Sequence, residues 1–169
     1  MELHELKPLF GHDMLKENAD EDQLKAFFKI FEKDFITNPL VLNGKKIKII
    51  NAKSKIPDLK DYPETFAHIV TRDYKSQAGR FYESDRANRI HWIKPILTSH
   101  PCNEILYYKW EDDNGICKEH FWYFAKNFMV VLKTIKPDLQ IVTAFCVDDD
   151  EKLTYYERYK NYKDGKSNC

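Results

Sequence analysis

Four apolar runs separated by short polar turns fill residues 104–147, and they constrain the fold more than any other feature of the sequence. The runs are 104–110, 117–125, 128–135 and 139–147, with turns such as Asp-Asp-Asn-Gly and Lys-Pro-Asp between them. Short turns of this kind join strands that are antiparallel neighbours. The pattern therefore predicts an antiparallel meander of about four strands.

The N-terminal part predicts a helix followed by a hairpin. Apolar side chains recur at helical spacing through residues 20–35, and acids occupy the first turn, where the helix dipole favours them. We interpret the aromatic stripe of this helix as core, with a partner-docking face as the alternative. Two apolar runs, 40–42 and 47–50, then flank Asn43-Gly44, which suits the positive φ angles of a tight hairpin turn.

Residues 66–97 contain histidines and several arginines, the residue types best suited to proton transfer and anion binding. Residues 66–70 predict a short buried strand, and residues 72–79 predict a polar loop. A helix follows, for which Ser84 or Asp85 can serve as the N-cap. The segment therefore joins a strand that carries a histidine to a helix that carries arginines.

Together these elements predict an α+β fold with N-terminal helices packed on one face of a curved, mainly antiparallel sheet of four to five strands. The 169 residues suffice for one domain with a substantial core. We divide this domain into a helix-plus-hairpin part (1–62), a core (63–147) and a C-terminal helix or tail (148–169). The opposite face of the sheet is expected to be open to a ligand.

The charges of the chain are balanced, with 27 Lys and Arg residues and 27 Asp and Glu residues. No overall field therefore attracts nucleic acid or an anionic membrane, and any anion site must be local. The acids cluster at 17–22, 111–113 and 148–151, which leaves the arginines between residues 72 and 89 with few compensating charges. The acids nearest these arginines in sequence are Asp73, Glu83 and Asp85. This asymmetry permits a basic cleft.

The four cysteines show neither CxxC spacing nor a dense framework, and they are Cys102, Cys117, Cys146 and Cys169. We expect free thiols and a cytoplasmic location, because no segment resembles a signal peptide. No run of about 18 apolar residues exists, so we expect no membrane span.

Zinc ligand types occur in His-x-Cys and Cys-x-x-His pairs at residues 100–102 and 117–120. On one strand, however, Cys117 and His120 would point to opposite faces of the sheet. Phosphate-loop and Rossmann motifs are absent, and five glycines leave little room for a nucleotide-cradling loop. We therefore predict neither a metal nor a cofactor.

The order of motifs between residues 63 and 147 resembles that of a known nuclease superfamily. The segment reads F-x-H-I-V, an arginine-containing loop, D-R-A-N-R-I-H-W-I-K-P-I-L, a strand meander and finally I-V-T-A-F. This pattern resembles the barnase, EndoU, colicin and RelE-like ribonuclease superfamily, particularly its phage-associated, toxin-like branch. The resemblance implies a compact α+β fold and metal-independent cleavage of RNA, often tRNA or ribosome-bound RNA. A cognate inhibitor protein is a further expected partner.

Metal-independent RNA cleavage needs a base for the 2′-OH, cations for the transition state and an acid for the leaving oxygen. The resemblance places the histidine of the superfamily at His68 and the hydroxyl of its last sheet strand at Thr143. A satisfied core histidine and an ordinary strand threonine are the alternatives. Arg72 and Arg86 complete the predicted catalytic set as phosphate clamps.

A second set of residues is predicted to bind the substrate. Arg80 and Arg89 are further phosphate clamps, and Arg89 would share a helical face with Arg86. His91 is a weaker candidate because it points away from Arg89 on a helix, and Tyr155 could stack on an unpaired base. Surface ion pairs with nearby acids are the alternative role for one or two of the arginines.

The leading interpretation is a small intracellular endoribonuclease of toxin or phage type. The alternative is a non-catalytic module that binds RNA or a protein on the same scaffold. The two differ in whether His68 is needed for cleavage of RNA in the absence of metal.

Overall fold

The structure is a computed structural model, and it describes residues 2–74, 78–167 and 169. These residues form an α+β fold, as predicted. The α-helices are α1 (Glu21–Phe31), α2 (Glu64–Ile69), α3 (Ser84–Ala87), α4 (Ile93–Ser99) and α5 (Lys152–Lys163). The strands are β1 (Val41–Leu42), β2 (Lys45–Lys48), β3 (Thr71–Asp73), β4 (Arg80–Tyr82), β5 (Ile105–Glu111), β6 (Cys117–Tyr123), β7 (Phe128–Ile135) and β8 (Asp138–Cys146).

Six strands form one mixed sheet in the order β1-β2-β8-β7-β6-β5, whereas β3 and β4 form a separate hairpin. Strands β5 to β8 are the predicted antiparallel meander. Strand β2 runs parallel to β8, pairing Ile47 with Leu139 and Lys48 with Gln140. The expected sheet of four to five strands was therefore too small, because local sequence patterns could not place the β1–β2 hairpin beside β8.

The N-terminal helix and hairpin form where the sequence predicts them. The Asp20 side chain caps α1 by accepting a hydrogen bond from the Gln23 amide at 3.0 Å, and a π-helical segment, Glu32–Thr37, continues the helix. The turn between β1 and β2 has positive φ angles at Asn43 (49°) and Gly44 (79°), as expected for an Asn-Gly hairpin.

The aromatic stripe of α1 belongs to the core. Phe27 and Phe31 are fully buried, and Phe28 and Phe31 pack against Phe66 of α2 with ring centroids 5.2 and 5.5 Å apart. Helices α1, α2 and α4 therefore share one core with the inner face of the sheet.

The prediction of a strand at residues 66–70 is wrong, because these residues belong to helix α2 and its C-cap. A short apolar run does not distinguish a buried strand from a buried helix by its periodicity. The predicted polar loop 72–79 is partly the β3–β4 hairpin, and residues 75–77 of that prediction lie outside the described residues. The predicted caps are also wrong, since Glu83 occupies the N-cap of α3 without a capping side chain.

Helix α5 covers the sheet face that was expected to be open. Its tyrosines pack against the apolar side chains of β5, β6 and β7 on that face, a cluster that includes Tyr108, Trp122, Met129, Val131, Tyr155, Tyr159 and Tyr162. The Ser167 hydroxyl donates to the Lys109 carbonyl of β5 at 2.9 Å. A disulfide joins Cys117 to Cys169, so the expectation of free thiols was wrong for these two cysteines.

None of the helices in residues 2–74 and 78–167 combines the length and the apolar character that a bilayer crossing requires.

Candidate functional site

A cleft of about 490 Å³ lies against the second half of β8, beyond the residues that pair with β2. Helix α2, the β3–β4 hairpin, α3 and the start of α5 supply the other walls. Six of the eight residues predicted from the sequence line this cleft, namely His68, Arg72, Arg80, Arg86, Thr143 and Tyr155.

Arg89 and His91 do not line the cleft. Arg89 Nη1 donates to the Asp85 carbonyl at 2.8 Å, and its guanidinium lies over the Trp92 ring. His91 Nε2 lies 2.6 Å from the Lys7 carbonyl oxygen. The predicted single helix is interrupted after Ala87, so Arg89 does not share the helical face of Arg86.

His68 lies in the last turn of α2, and its imidazole borders the cleft. Burial, together with the positive charges of Arg80 and Arg86, lowers the pKa of His68 to about 4. The imidazole is therefore neutral near pH 7 and can accept a proton. Within the part of the chain that the structure describes, its buried Nδ1 atom has no hydrogen-bond partner.

A β-bulge in β8 orients Thr143. Val131 pairs with Thr143 whereas the next residue, Leu132, pairs with Ile141, so Val142 is an extra residue in β8. Ile141 belongs to the main core, and without the bulge the two-residue period of a strand would place Thr143 on that same face. The bulge instead leaves Thr143 in the cleft, where its Oγ1 is buried and has no partner among the described residues.

Arg80 is held by hydrogen bonds to Thr71 and to the backbone of His68. Its Nε donates to Thr71 Oγ1 at 3.0 Å, and its Nη2 donates to the carbonyls of His68 (3.1 Å) and Thr71 (2.9 Å). A guanidinium at this position satisfies the His68 carbonyl at the C-terminal end of α2 and interacts favourably with the helix dipole. Arg80 therefore fixes the position of the His68 backbone as well as lining the cleft.

Arg72 and Arg86 lie on either side of Glu83. Arg86 Nη1 donates to the Thr71 carbonyl at 2.8 Å, and Arg86 Nε lies 3.0 Å from Glu83 Oε2. Arg72 Nη1 lies 3.6 Å from Glu83 Oε1, and Arg72 Nη2 donates to Asp148 Oδ2. The hydrogen bond with Asp148 is the main cause of the raised pKa of Arg72.

The expectation of arginines with few compensating acids is wrong for this cleft. Among the described residues, Asp73, Asp148, Asp150 and Glu151 line it with Arg72, Arg80 and Arg86, which gives four carboxylates to three guanidinium groups. The sequence did indicate that acids are concentrated here, because residues 148–151 form one of its acidic clusters. Only the folded chain shows that this cluster lies beside arginines that are distant in sequence.

Aromatic side chains and one thiol complete the lining. Tyr74, Phe145 and Tyr155 offer ring faces and edges, and the Tyr155 hydroxyl donates to Glu151 Oε2 at 2.8 Å. Burial raises the pKa of Tyr155, so its hydroxyl keeps its proton. Burial also raises the pKa of Cys146 to about 11, which leaves this thiol protonated near neutral pH and unsuited to nucleophilic attack.

No protein-family model matches the sequence, and no curated protein or solved structure is significantly similar to the chain. Among the described residues, no group of three or more His, Cys, Asp and Glu side chains is arranged to hold a metal ion. A functional assignment must therefore come from the chemistry of the cleft.

Proposed function

We propose that this chain is a metal-independent, endoribonuclease-like protein that binds and cleaves RNA phosphodiesters in the cleft. The observation that carries the proposal is that one cleft contains a neutral histidine, three arginines and a threonine hydroxyl that has no hydrogen-bond partner among the described residues. These groups come from α2, β3, β4, α3 and β8, so the fold brings together residues that are far apart in sequence.

In the proposed reaction, neutral His68 accepts the proton of the ribose 2′-OH as that oxygen attacks phosphorus. The bond from phosphorus to the 5′-oxygen breaks as the new bond forms, which gives a 2′,3′-cyclic phosphate and a 5′-hydroxyl that takes its proton from water. Thr143 Oγ donates to a non-bridging oxygen, and the arginines stabilise the negative charge of the transition state. A pKa of about 4 makes free His68 a weak base. A bound phosphate offsets the positive charge of Arg80 and Arg86, which raises the pKa of His68 when substrate is present.

The alternative is a non-catalytic module that binds RNA or a protein. The pairing of Arg72 with Asp148 and of Arg86 with Glu83 favours it, because carboxylates already occupy part of the anion-binding capacity of these arginines. Among the described lining residues, the excess of carboxylates over guanidinium groups also gives no net attraction for a polyanion.

A cleavage assay distinguishes the ribonuclease from the non-catalytic module. It uses a tRNA pool and a single-stranded oligoribonucleotide, both in EDTA. We expect the wild-type protein to cleave and the folded His68→Gln variant to lose at least about 100-fold in rate, the usual scale of general-base catalysis. The control is His100→Gln, which removes a half-buried histidine outside the cleft and should cleave like the wild type. Unchanged cleavage by His68→Gln would exclude the assigned role, whereas RNA binding without cleavage would favour the module.

A further inference from the structure

The connection between β8 and α5 is strongly acidic and closes one side of the cleft. It contains Asp148, Asp149, Asp150 and Glu151, and all of these except Asp149 line the cleft. Asp149 is exposed and borders a separate apolar surface near Phe124 and Leu153. One short segment therefore offers two neighbouring aspartates in different surroundings.

Asp148 binds Arg72 as an external oxyanion would. Asp148 Oδ2 accepts from Arg72 Nη2, and Asp148 Oδ1 lies 3.5 Å from Arg72 Nη1, so both oxygens face the guanidinium fork. A phosphate group uses the same two-point geometry. The Arg72 and Asp148 side chains are 28% and 38% exposed, so solvent and a ligand can reach this pair.

We propose that Asp148 is an internal anion that occupies Arg72 when no RNA is bound, and that a phosphodiester must displace it to bind. The identity of the displacing ligand rests on the proposed function, whereas the competition for Arg72 rests on the geometry of the ion pair. Displacing Asp148 from Arg72 costs little free energy, because a partly exposed ion pair contributes little net stability. A phosphodiester carries the same charge as the carboxylate it replaces, so the charge around Arg72 is restored on binding.

A structural ion pair and an internal competitor give opposite results in one variant. If Asp148 only holds Arg72 in place, Asp148→Asn should weaken RNA binding. If Asp148 competes with the ligand, Asp148→Asn should strengthen it, because an amide is a poorer partner for a guanidinium than a carboxylate is. Asp149→Asn is the matched control, since it removes the same charge one residue away without touching Arg72.

The test uses a fluorescein-labelled, fully 2′-O-methylated single-stranded octanucleotide, which cannot be cleaved through its 2′ oxygens. Fluorescence anisotropy should show a Kd about two- to fivefold lower for Asp148→Asn than for Asp149→Asn, the scale expected for releasing a partly exposed ion pair. The double variant Arg72→Gln/Asp148→Asn should lose this gain. Thermal unfolding of each variant confirms that the proteins compared are folded.

The outcomes for this inference and for the proposed function are distinct. Binding by Asp148→Asn that is no tighter than binding by Asp149→Asn overturns the internal competitor, even if the wild type cleaves RNA. Tighter binding that depends on Arg72 supports it, even if no variant cleaves RNA and the catalytic proposal fails. A gain that persists in the double variant also overturns it, because the gain would then be a general charge effect.

Discussion

His68 and Thr143 lie on different elements, yet they line one cleft, and each has a buried polar atom that no described residue satisfies. Such an atom costs about 1–3 kcal/mol, so a folded protein normally pairs it. A ligand that donates to one of these atoms and accepts from the other would recover part of that cost. In the proposed function, the ribose 2′-OH would be the donor and a phosphate oxygen the acceptor, which would place the scissile phosphodiester beside these two residues.

Replacing Thr143 by Val should lower RNA cleavage without lowering the stability of the protein. Valine has nearly the same shape and removes a hydroxyl that no described residue satisfies, so the free energy of unfolding should stay equal or rise by up to about 1 kcal/mol. RNA cleavage should fall, since the donor to the phosphate is lost. Chemical denaturation and the cleavage assay measure the two effects. A destabilised Thr143→Val variant would show that the hydroxyl has a structural partner.

Thr65→Val is the control for this substitution. The Thr65 Oγ1 accepts a hydrogen bond from the Ile50 amide at 2.7 Å, so its removal leaves a backbone donor without a partner. We expect a loss of about 1–3 kcal/mol in the free energy of unfolding, opposite in sign to that of Thr143→Val.

Arg80→Lys should destabilise the protein although it conserves the charge. A lysine amine cannot reproduce the fork that contacts Thr71 and the His68 carbonyl, so we expect a loss of about 1–3 kcal/mol in the free energy of unfolding. Arg89→Lys should change it by less than about 0.5 kcal/mol, because a lysine can also pair with Asp85 and lie over the Trp92 ring. Equal effects at the two positions would contradict the positioning role of Arg80.

The buried His68 should make stability depend on pH. The unfolded chain has the ordinary histidine pKa of 6.5, whereas burial, Arg80 and Arg86 lower the folded-state pKa of His68 to about 4. The unfolded state therefore binds the proton first, and the stabilising contribution is complete above pH 6.5 and is lost as the pH falls towards 4. Between pH 7.5 and 5, the wild type should lose about 1–2 kcal/mol more than His68→Gln in urea unfolding. Parallel pH curves for the two proteins would exclude this contribution.

Opening the disulfide should destabilise the chain substantially. Cys117 and Cys169 are 52 residues apart, and closing a loop of this size contributes about 2–4 kcal/mol by restricting the unfolded chain. Cys117→Ser should therefore lower the unfolding free energy by that amount under oxidising conditions. Cys102→Ser removes an exposed free thiol and should have little effect. The difference between the two variants should vanish in a reducing buffer.

Local patterns predicted the elements whose neighbours in space are also neighbours in sequence. The β5–β8 meander and the Asn43-Gly44 turn are of this kind, because turn chemistry and alternation determine them. The apolar run that became α2 was ambiguous, since its packing against α1 decides between helix and strand. The parallel pairing of β2 with β8 depends on contacts that no local pattern encodes.

The candidate site was predictable in its residue types but not in its charge. Resemblance and arginine spacing identified His68, Arg72, Arg80, Arg86 and Thr143, and all of them line the cleft. The acids of the β8–α5 connection are about 70 residues away in sequence from the arginines that they face, so spacing could not reveal their proximity. The bulge that orients Thr143 is a register shift, which becomes visible only when β7 and β8 are paired.

The C-terminal segment also protects the sheet from other chains. Strand β5 is one of the two outer strands and is seven residues long, a length that favours pairing with a second molecule. The Ser167 hydroxyl uses the Lys109 carbonyl of this strand, and the disulfide holds the segment in place. The other outer strand, β1, has two residues and is followed by lysines, so it needs no cover. Reduction of the disulfide should therefore free the Lys109 region of β5 for pairing with a second molecule.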